Sequence, residues 1–278
     1  MIRRQTIATC LLIAPALLFL LGWFALPLVR LFTLAFLDEA GAFASFETLL
    51  ASPVYRQVML YTLLVAVIVT VLTMLLAWPV AYGLTRVSDL AFVLMLYGVL
   101  FPFWISVLVR TFSWMLLLER NGPVNRFLQA LGVTDQPIAL LFNHTGVIIG
   151  MVHVLLPYAI IPLYGSMSSI DRRLLLASDG LGAGLMDTFF RVYLPLCIPG
   201  IAGGATFVFL LSLGFFITPA LLGGANAMTL SMLVSSFVTD RLAWSLAAAG
   251  SIVLLAIVLV ILAVLARLVP SVRQVYTR

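Results

Sequence analysis

Six long apolar stretches dominate the chain and predict six membrane-spanning helices. They cover about residues 7–29, 57–84, 90–118, 145–167, 198–221 and 244–267. Each has at least the roughly 20 residues that a helix needs to cross the hydrocarbon core of a bilayer. In lipid, only helices and closed barrels satisfy every backbone polar group. The pattern therefore predicts an all-α, polytopic membrane protein with a single transmembrane domain over residues 1–278.

Segment 168–200 is the longest polar connection between two of these apolar stretches. A side-chain oxygen of Ser169 or Asp171 can cap a first helix, because it accepts a bond from an unpaired backbone N–H. Glycines then favour a break, and a second helix is predicted over 186–193. The residues expected to break or end these helices are Gly180, Gly182, Gly184, Pro195 and Pro199.

Three further connections are predicted on the opposite side of the membrane. They cover about 38–57, 119–144 and 223–243, and the second of them favours a short helix over 125–131. Prolines also interrupt the spans, including Pro79 in the second and Pro102 in the third. Each removes a helix hydrogen bond and tends to kink its helix. Membrane helices are generally rich in proline, so the pattern fits either a mobile path or ordinary composition.

The charged residues predict the orientation of the chain. It is 64% hydrophobic and 9% charged, with 15 basic residues, all arginine, against 10 acidic ones. Nine arginines share the side of the termini and of segment 168–200, and six lie towards the other side. The positive-inside rule places the first side in the cytoplasm, which accounts for the basic surplus without nucleic acid. The nine are Arg3, Arg4, Arg86, Arg172, Arg173, Arg191, Arg267, Arg273 and Arg278.

Few residues suggest bound metal or catalysis. Cys10 and Cys197 have no metal-ligand spacing and are expected to be reduced and structural. The glycines around Gly182 lack the third glycine and the preceding strand of a dinucleotide loop. No Walker phosphate-binding loop or hydrolase motif occurs, so neither catalytic residues nor a resident cofactor is predicted. The apolar start of the chain is interpreted as an uncleaved first span.

The polar segment resembles the cytoplasmic EAA coupling loop of binding-protein-dependent ABC importer permeases, here about residues 168–198. The family pattern is Glu-Ala-Ala, three residues, Gly, nine residues, an apolar residue, any residue, Leu-Pro. Leu176 stands where the family usually has glutamate, which removes whatever polar contact that carboxylate makes. The resemblance implies an ATPase-coupling role for Ala177, Ser178, Gly182, Ala183, Val192, Leu194 and Pro195.

Two other segments are similar to the polyamine-type branch of that family. They are 101–114, which contains Phe-Pro-Phe-Trp-Ile and Val-Arg-Thr, and 215–224, which reads Phe-Phe-Ile-Thr-Pro-Ala-Leu-Leu-Gly-Gly. The resemblance implies the type I ABC importer permease fold, and a permease that forms half of a path for a small polar solute such as spermidine or putrescine. The residues predicted for that path are Phe103, Trp104, Arg110, His153, Tyr158, Phe215 and Thr218.

The same resemblance implies an assembly in the bacterial inner membrane, among lipid, with both termini cytoplasmic. Its expected parts are a second, different permease chain, two ATPase subunits that bind ATP and Mg²⁺, and an external substrate-binding protein. This chain would then be a transport subunit without enzymatic activity and without contact with nucleic acid.

Several alternatives remain open from the sequence. No Asp or Glu lies within a span to neutralise a polycation, whereas Arg110 suits an organic anion or an aminophosphonate. Arg110 is also near enough to the external interface to be a snorkelling anchor. A proton-coupled secondary transporter would be expected to carry intramembrane acids and an internal repeat. An intramembrane enzyme would need catalytic motifs, and a scaffold would leave the coupling-loop pattern unexplained.

Overall fold

The computed structural model describes residues 2–36, 41, 43–224 and 227–268, and these residues form helices and connections without any strand. A π-helical segment covers Phe189–Tyr193. The α-helices are α1 (Ile2–Phe36), α2 (Ala44–Ala51), α3 (Pro53–Leu84), α4 (Asp89–Trp104), α5 (Val107–Leu118), α6 (Pro123–Ala130), α7 (His144–Ser168), α8 (Arg172–Gly180), α9 (Leu185–Thr188), α10 (Leu194–Leu213), α11 (Ile217–Leu222), α12 (Leu230–Thr239) and α13 (Trp244–Leu268).

Four of the six predicted spans correspond to single long apolar helices. These are α1, α3, α7 and α13, each long enough and apolar enough to cross a membrane. The predicted short helix at 125–131 is present as α6. Two connections contain helices that the sequence pattern did not predict, α2 in 38–57 and α12 in 223–243. Residues 37–40, together with Arg273 and Arg278 from the charge count, lie outside the described residues.

The third predicted span is a pair of helices separated by a short break, and the kink predicted at Pro102 lies next to that break. α4 ends at Trp104, α5 begins at Val107, and the two helices are bent by 102° at the break. Pro102 lies in the last turn of α4, where it cannot donate a hydrogen bond to the carbonyl four residues before it, and this weakens the end of the helix. The backbone N–H of Ile105 bonds the Pro102 carbonyl at 3.2 Å, and Ile105 is already extended.

The fifth predicted span also has different boundaries. α10 ends at Leu213, and the predicted end of the span forms the separate helix α11. At the other end, helical structure runs without a break from Leu185 to Leu213. The prediction that Pro195 and Pro199 end the second helix of segment 168–200 is therefore wrong. The N–H of Leu194 bonds the carbonyl of Phe189, five residues back, and this wider turn makes room for Pro195.

Helix α7 belongs to the larger of two compact units, which comprises the described parts of 57–232 and 257–278. Its side chains Met151, Leu155 and Leu163 are fully buried and belong to a core that also includes residues of α3 and α10. Gly200 lets α10 approach α7, because a Cβ there would overlap the Ser166 side chain and lie 2.9 Å from the Pro162 carbonyl oxygen. Small residues at such contacts are a common feature of membrane helix pairs.

The smaller unit comprises the described parts of 1–56 and 233–256. Phe237 of α12 is fully buried, and its ring meets Tyr55 edge-on at 5.5 Å between centroids. Arg241 donates a 3.0 Å hydrogen bond to the Tyr55 hydroxyl and lies 5.7 Å from the centre of the Phe237 ring. Arg241 thus contacts both Tyr55 and Phe237.

Asn125 is buried at the start of α6 and is expected to hold the connection 119–144 together. Its amide donates to the carbonyls of Glu119 and Ile138 and accepts from the Ile138 N–H, at 3.2, 3.0 and 2.9 Å. Asn125→Leu leaves these groups unpaired, at a cost of about 2–3 kcal/mol. We expect faster protease cleavage within 119–144, measured by limited proteolysis. Gln129→Leu, on the exposed part of the same helix, is the control and should cleave at the wild-type rate.

Candidate coupling surface and translocation path

The first helix of the polar segment begins as the sequence predicts. A side-chain oxygen of Asp171 accepts a 2.9 Å hydrogen bond from the Arg173 N–H, so Asp171 caps α8. The other predicted cap, Ser169, instead donates its hydroxyl to the Ser166 carbonyl at 2.7 Å, at the end of α7. Each of the two side chains therefore satisfies a different helix end.

A tight turn at Gly182 joins α8 to α9. Gly182 has φ +81°, in the left-handed region that glycine reaches without strain. Its N–H bonds the Asp179 carbonyl at 2.8 Å, and the Ala183 N–H bonds the Ser178 carbonyl at 3.2 Å. This turn brings together four of the residues predicted to couple transport to the ATPase, Ala177, Ser178, Gly182 and Ala183.

The hydroxyl groups of Ser178 and Thr188 lie 2.9 Å apart and connect α8 with α9 across the turn. This half-buried hydrogen bond fixes the angle between the two short helices. Arg191 forms an ion pair with Asp187 at 3.1 Å along the second of these helical stretches, but both side chains are well exposed. Exposed ion pairs of this kind contribute little stability. The hydrogen bond between the two hydroxyl groups therefore contributes more to holding the angle between α8 and α9.

Removing either hydroxyl is expected to reduce transport. Ser178→Ala and Thr188→Val should each lower the uptake rate about twofold to fivefold, because a half-buried hydrogen bond contributes about 1 kcal/mol. The uptake rate of the double variant should be no lower than that of the less active single variant. Ser168→Ala is the control, since that hydroxyl bonds only to the Gly165 carbonyl. Strictly multiplicative losses in the double variant would contradict the pairing.

Large apolar side chains are exposed on this turn. Leu176, Leu181 and Leu185 are 69%, 88% and 92% exposed, although the segment is otherwise rich in charge. Leu176 is the residue that replaces the usual glutamate of the coupling-loop pattern. An exposed apolar patch bordered by polar residues is typical of a protein interaction site. We call the patch formed by these three leucines the coupling surface.

The remaining predicted coupling residues follow the coupling surface in the chain. Val192 belongs to the π-helical segment, while Leu194 and Pro195 begin α10. Val192 and Leu194 are half-buried and Pro195 is exposed. These three residues therefore connect the coupling surface to α10, and they lie at least ten residues after Gly182 in the chain.

Four aromatic residues anchor this connection to α3, and the sequence analysis gave them no role. Tyr193 is buried, and its ring meets Trp78 at 6.3 Å and Tyr82 at 5.9 Å. Phe189 contacts Trp78 at 6.1 Å and Tyr193 at 6.1 Å. Both pairs, 78 with 82 and 189 with 193, are four residues apart, which places each pair on one helix face. This four-residue spacing is the sequence signal that could have identified the four aromatic residues as contacts between helices.

A second cluster brings together four of the residues predicted for the path. The rings of Phe103 and Tyr158 are 4.9 Å apart, and His153 meets Trp114 at 5.4 Å. Arg110 lies close enough to interact electrostatically with both Tyr158 and His153. Within the described part of the chain, Arg110 Nε and His153 Nδ1 are buried without a hydrogen-bond partner.

The other three predicted path residues lie in different surroundings. Trp104, at the end of α4, is 87% exposed. Phe215 is half-buried, and its carbonyl accepts a 2.8 Å hydrogen bond from the Ser231 hydroxyl. Thr218 is fully buried, with its hydroxyl 3.1 Å from that of Thr111. The contacts of Thr218 are those of a packing residue between α5 and α11.

No metal or redox site is evident in the described residues. They contain no group of three or more His, Cys, Asp or Glu side chains placed to hold a metal ion. Cys197 is a free, buried thiol within α10, surrounded by core residues. The side chain of Cys10 lies outside what the structure describes.

Comparison with known proteins places these features in a family. The chain is 37% identical over 205 residues to the spermidine/putrescine transport system permease protein PotB of Salmonella typhimurium, which covers 74% of this chain and 71% of that protein. PotB of Escherichia coli K12 is 36% identical over 207 residues, covering 74% of this chain and 75% of the relative. The chain belongs to the PotB family of ABC importer permeases. No protein-family model matches it.

The fold of this PotB-family chain also matches solved importer structures. A crystal structure of a bacterial alginate ABC transporter in complex with an alginate-bound periplasmic protein contains a chain similar to it, with a TM-score of 0.76. The match covers 95% of this chain and 94% of that chain at 20% identity, so it concerns the fold alone. The PotB-family chain is thus a multi-pass membrane permease subunit of an ABC importer, and it is not itself an enzyme.

Proposed function

We propose that this permease imports spermidine- or putrescine-like polyamines. The observation that carries the proposal is 36–37% identity to PotB proteins over three quarters of the chain. The cluster around Phe103 and Tyr158 supports it, because aromatic faces attract organic cations. We assign the path for the cation to the side of α7 that carries Tyr158.

The assembly we propose has this chain paired with a second, different permease in a bacterial inner membrane, with both termini in the cytoplasm. Two ATPase subunits bind ATP and Mg²⁺ and dock on the coupling surface, and an external binding protein delivers the polyamine. The exposed Leu176, Leu181 and Leu185 support an ATPase contact. The related alginate transporter, in complex with its periplasmic protein, supports the delivery step.

Closure of the ATPase pair would act on the spans through the contacts described above. Pressure on the coupling surface moves α8 and α9 together, because the Ser178–Thr188 hydrogen bond and the Gly182 turn fix their angle. The aromatic contacts of Tyr193 pass this displacement to α3, and continuous helix passes it to α10. ATP binding thereby favours one of two packings of the spans over the other.

A specific observation favours a second candidate, an organic anion or an aminophosphonate. Arg110 Nε and His153 Nδ1 have no hydrogen-bond partner among the described residues, and an anionic group would satisfy both. For a polyamine, a carboxylate of the second permease chain would have to offset the charge of Arg110. The two candidates therefore assign opposite roles to this arginine.

Transport by the complete complex separates the two candidates. We would purify the chain with the proteins that accompany it, reconstitute the complex in proteoliposomes and measure ATP-dependent uptake of spermidine and of an aminophosphonate. Spermidine uptake that Arg110→Gln leaves within about twofold of wild type supports the polyamine proposal. Aminophosphonate uptake that falls about tenfold or more in Arg110→Gln, a loss typical of a removed charge-assisted hydrogen bond, would replace it. A chain that purifies without any ATPase would contradict the proposed assembly.

A further inference from the structure

Two arginines that the proposed transport mechanism does not use line one cavity. The cavity, of about 370 Å³, lies where the ends of α3, α4, α7 and α8 meet. Arg86 follows α3 and Arg172 begins α8. The residues of its wall that matter here are Arg86, Asp89, Phe92, Tyr164, Arg172 and Tyr193. We call it the arginine cavity.

Among the residues that the structure describes, no carboxylate forms an ion pair with either arginine of this cavity. The Arg86 guanidinium lies 5.1 Å from the centre of the Tyr82 ring, and Arg172 Nη2 donates to the Thr85 carbonyl at 3.3 Å. Within the described part of the chain, the ion pair formed is that of Arg191 with Asp187. Two arginines and one carboxylate, that of Asp89, line this cavity, so its lining is net positive. Asp179 lines the adjoining pocket, which both arginines also border.

The rim of the arginine cavity continues into an exposed apolar stripe. Asp89 is the first residue of α4, and none of the α4 side chains is fully buried, although Phe92 and Met95 pack partly against the core. Leu90, Leu94 and Tyr97 are 72%, 64% and 69% exposed. Their spacing of four and three residues places them on one face of the helix. A ligand that lies along both features needs an anionic head and an apolar tail.

We propose that the arginine cavity binds the phosphate of an anionic phospholipid, with the acyl chains lying along the α4 stripe. Basic pockets between membrane helices on the cytoplasmic side recognise such headgroups. The assignment to the cytoplasmic leaflet rests on the proposed function, because it takes its side from the coupling loop. A bound phosphate bridges Arg172, the first residue of α8, to Arg86 at the α3–α4 connection. The lipid therefore fixes the start of the coupling helix.

Lipid binding to the purified complex tests this directly. The complex is titrated with phosphatidylglycerol or with phosphatidylcholine of the same acyl chains, and bound lipid is counted by native mass spectrometry. We expect phosphatidylglycerol to bind preferentially. The Arg86→Gln/Arg172→Gln variant should bind it about thirtyfold more weakly, the loss expected for two arginines near an anionic headgroup. Arg86→Lys/Arg172→Lys retains the charges and should retain most of the preference.

The control variant is Arg173→Gln, because this neighbouring arginine does not line the cavity. It should bind phosphatidylglycerol as the wild type does. Equal binding of the two lipids by the wild type, or an equal loss in Arg173→Gln, would overturn the site. So would full displacement of phosphatidylglycerol by millimolar inorganic phosphate, which would identify a free-phosphate site. No polyamine is present in the assay, so a failure here is independent of the transported substrate.

Discussion

Gly182→Trp is expected to abolish substrate uptake while the permease still inserts into the membrane at the wild-type level. Gly182 has φ +81°, and a residue with a Cβ costs about 1–2 kcal/mol in this conformation. A Cβ would meet no atom within 4 Å, so the indole is not forced into the fold. It projects instead from the turn of the coupling surface. We expect uptake below about a tenth of wild type, a range typical of a lost coupling energy between sites.

Two alanine variants separate strain in the turn from the bulk of the indole. Gly180 also has open space around it and lacks a left-handed φ, so Gly180→Ala should transport normally. Gly182→Ala introduces the strain without the bulk and should lie between wild type and Gly182→Trp. Uptake and ATPase activity are measured together on the reconstituted complex. Normal uptake by a correctly inserted Gly182→Trp protein would refute the role of this turn in coupling.

Gly200→Val is expected to prevent stable folding, for a reason unrelated to coupling. A Cβ at Gly200 would overlap the Ser166 side chain and lie 2.9 Å from the Pro162 carbonyl oxygen, which is backbone and cannot move away locally. α10 must then separate from α7, the most buried helix of the fold. We expect a cost of about 3 kcal/mol or more. The measurement is the melting temperature and the yield of monodisperse protein in mild detergent.

The matched control is Gly203→Val on the same helix. A Cβ at Gly203 meets only the Pro162 Cβ, at 3.9 Å, which is ordinary van der Waals contact. Both substitutions add the same β-branched side chain to α10, so any shared effect on helix propensity cancels. A melting temperature for Gly200→Val within about 2 °C of Gly203→Val, well below the several degrees expected for 3 kcal/mol, would show that α7 and α10 are not held as closely as described.

The parts of this structure that the sequence predicts are those with local causes. Apolar runs of membrane-spanning length become helices whatever surrounds them, because the bilayer leaves no other option. Asp171 caps α8 and Gly182 turns the chain through interactions with residues a few positions away. For the same reason the coupling-loop pattern, defined by fixed spacings, predicts the shape of the turn correctly.

The features that the sequence did not reveal depend on contacts between distant segments. Pro102 signals a kink, but the 102° bend after it also depends on what α5 packs against. The edge-to-face contacts of Tyr193 with Trp78 and Tyr82 join residues more than 100 positions apart. The hydroxyl pair of Thr111 and Thr218 likewise joins residues more than 100 positions apart. None of these follows from periodicity, which reports only which face of a helix is apolar.

The π-helical segment Phe189–Tyr193 has a mechanical consequence for the permease. A π turn holds about one residue more than an α turn, so it stores roughly 1.5 Å of rise and 100° of rotation in an unbroken rod. Converting that single turn to α geometry would shift and rotate α9 relative to α10 by the rise and rotation of one residue, while the other helical turns keep their hydrogen bonds. A conversion of this kind next to Pro195 would therefore let α9 shift relative to α10 in one discrete step.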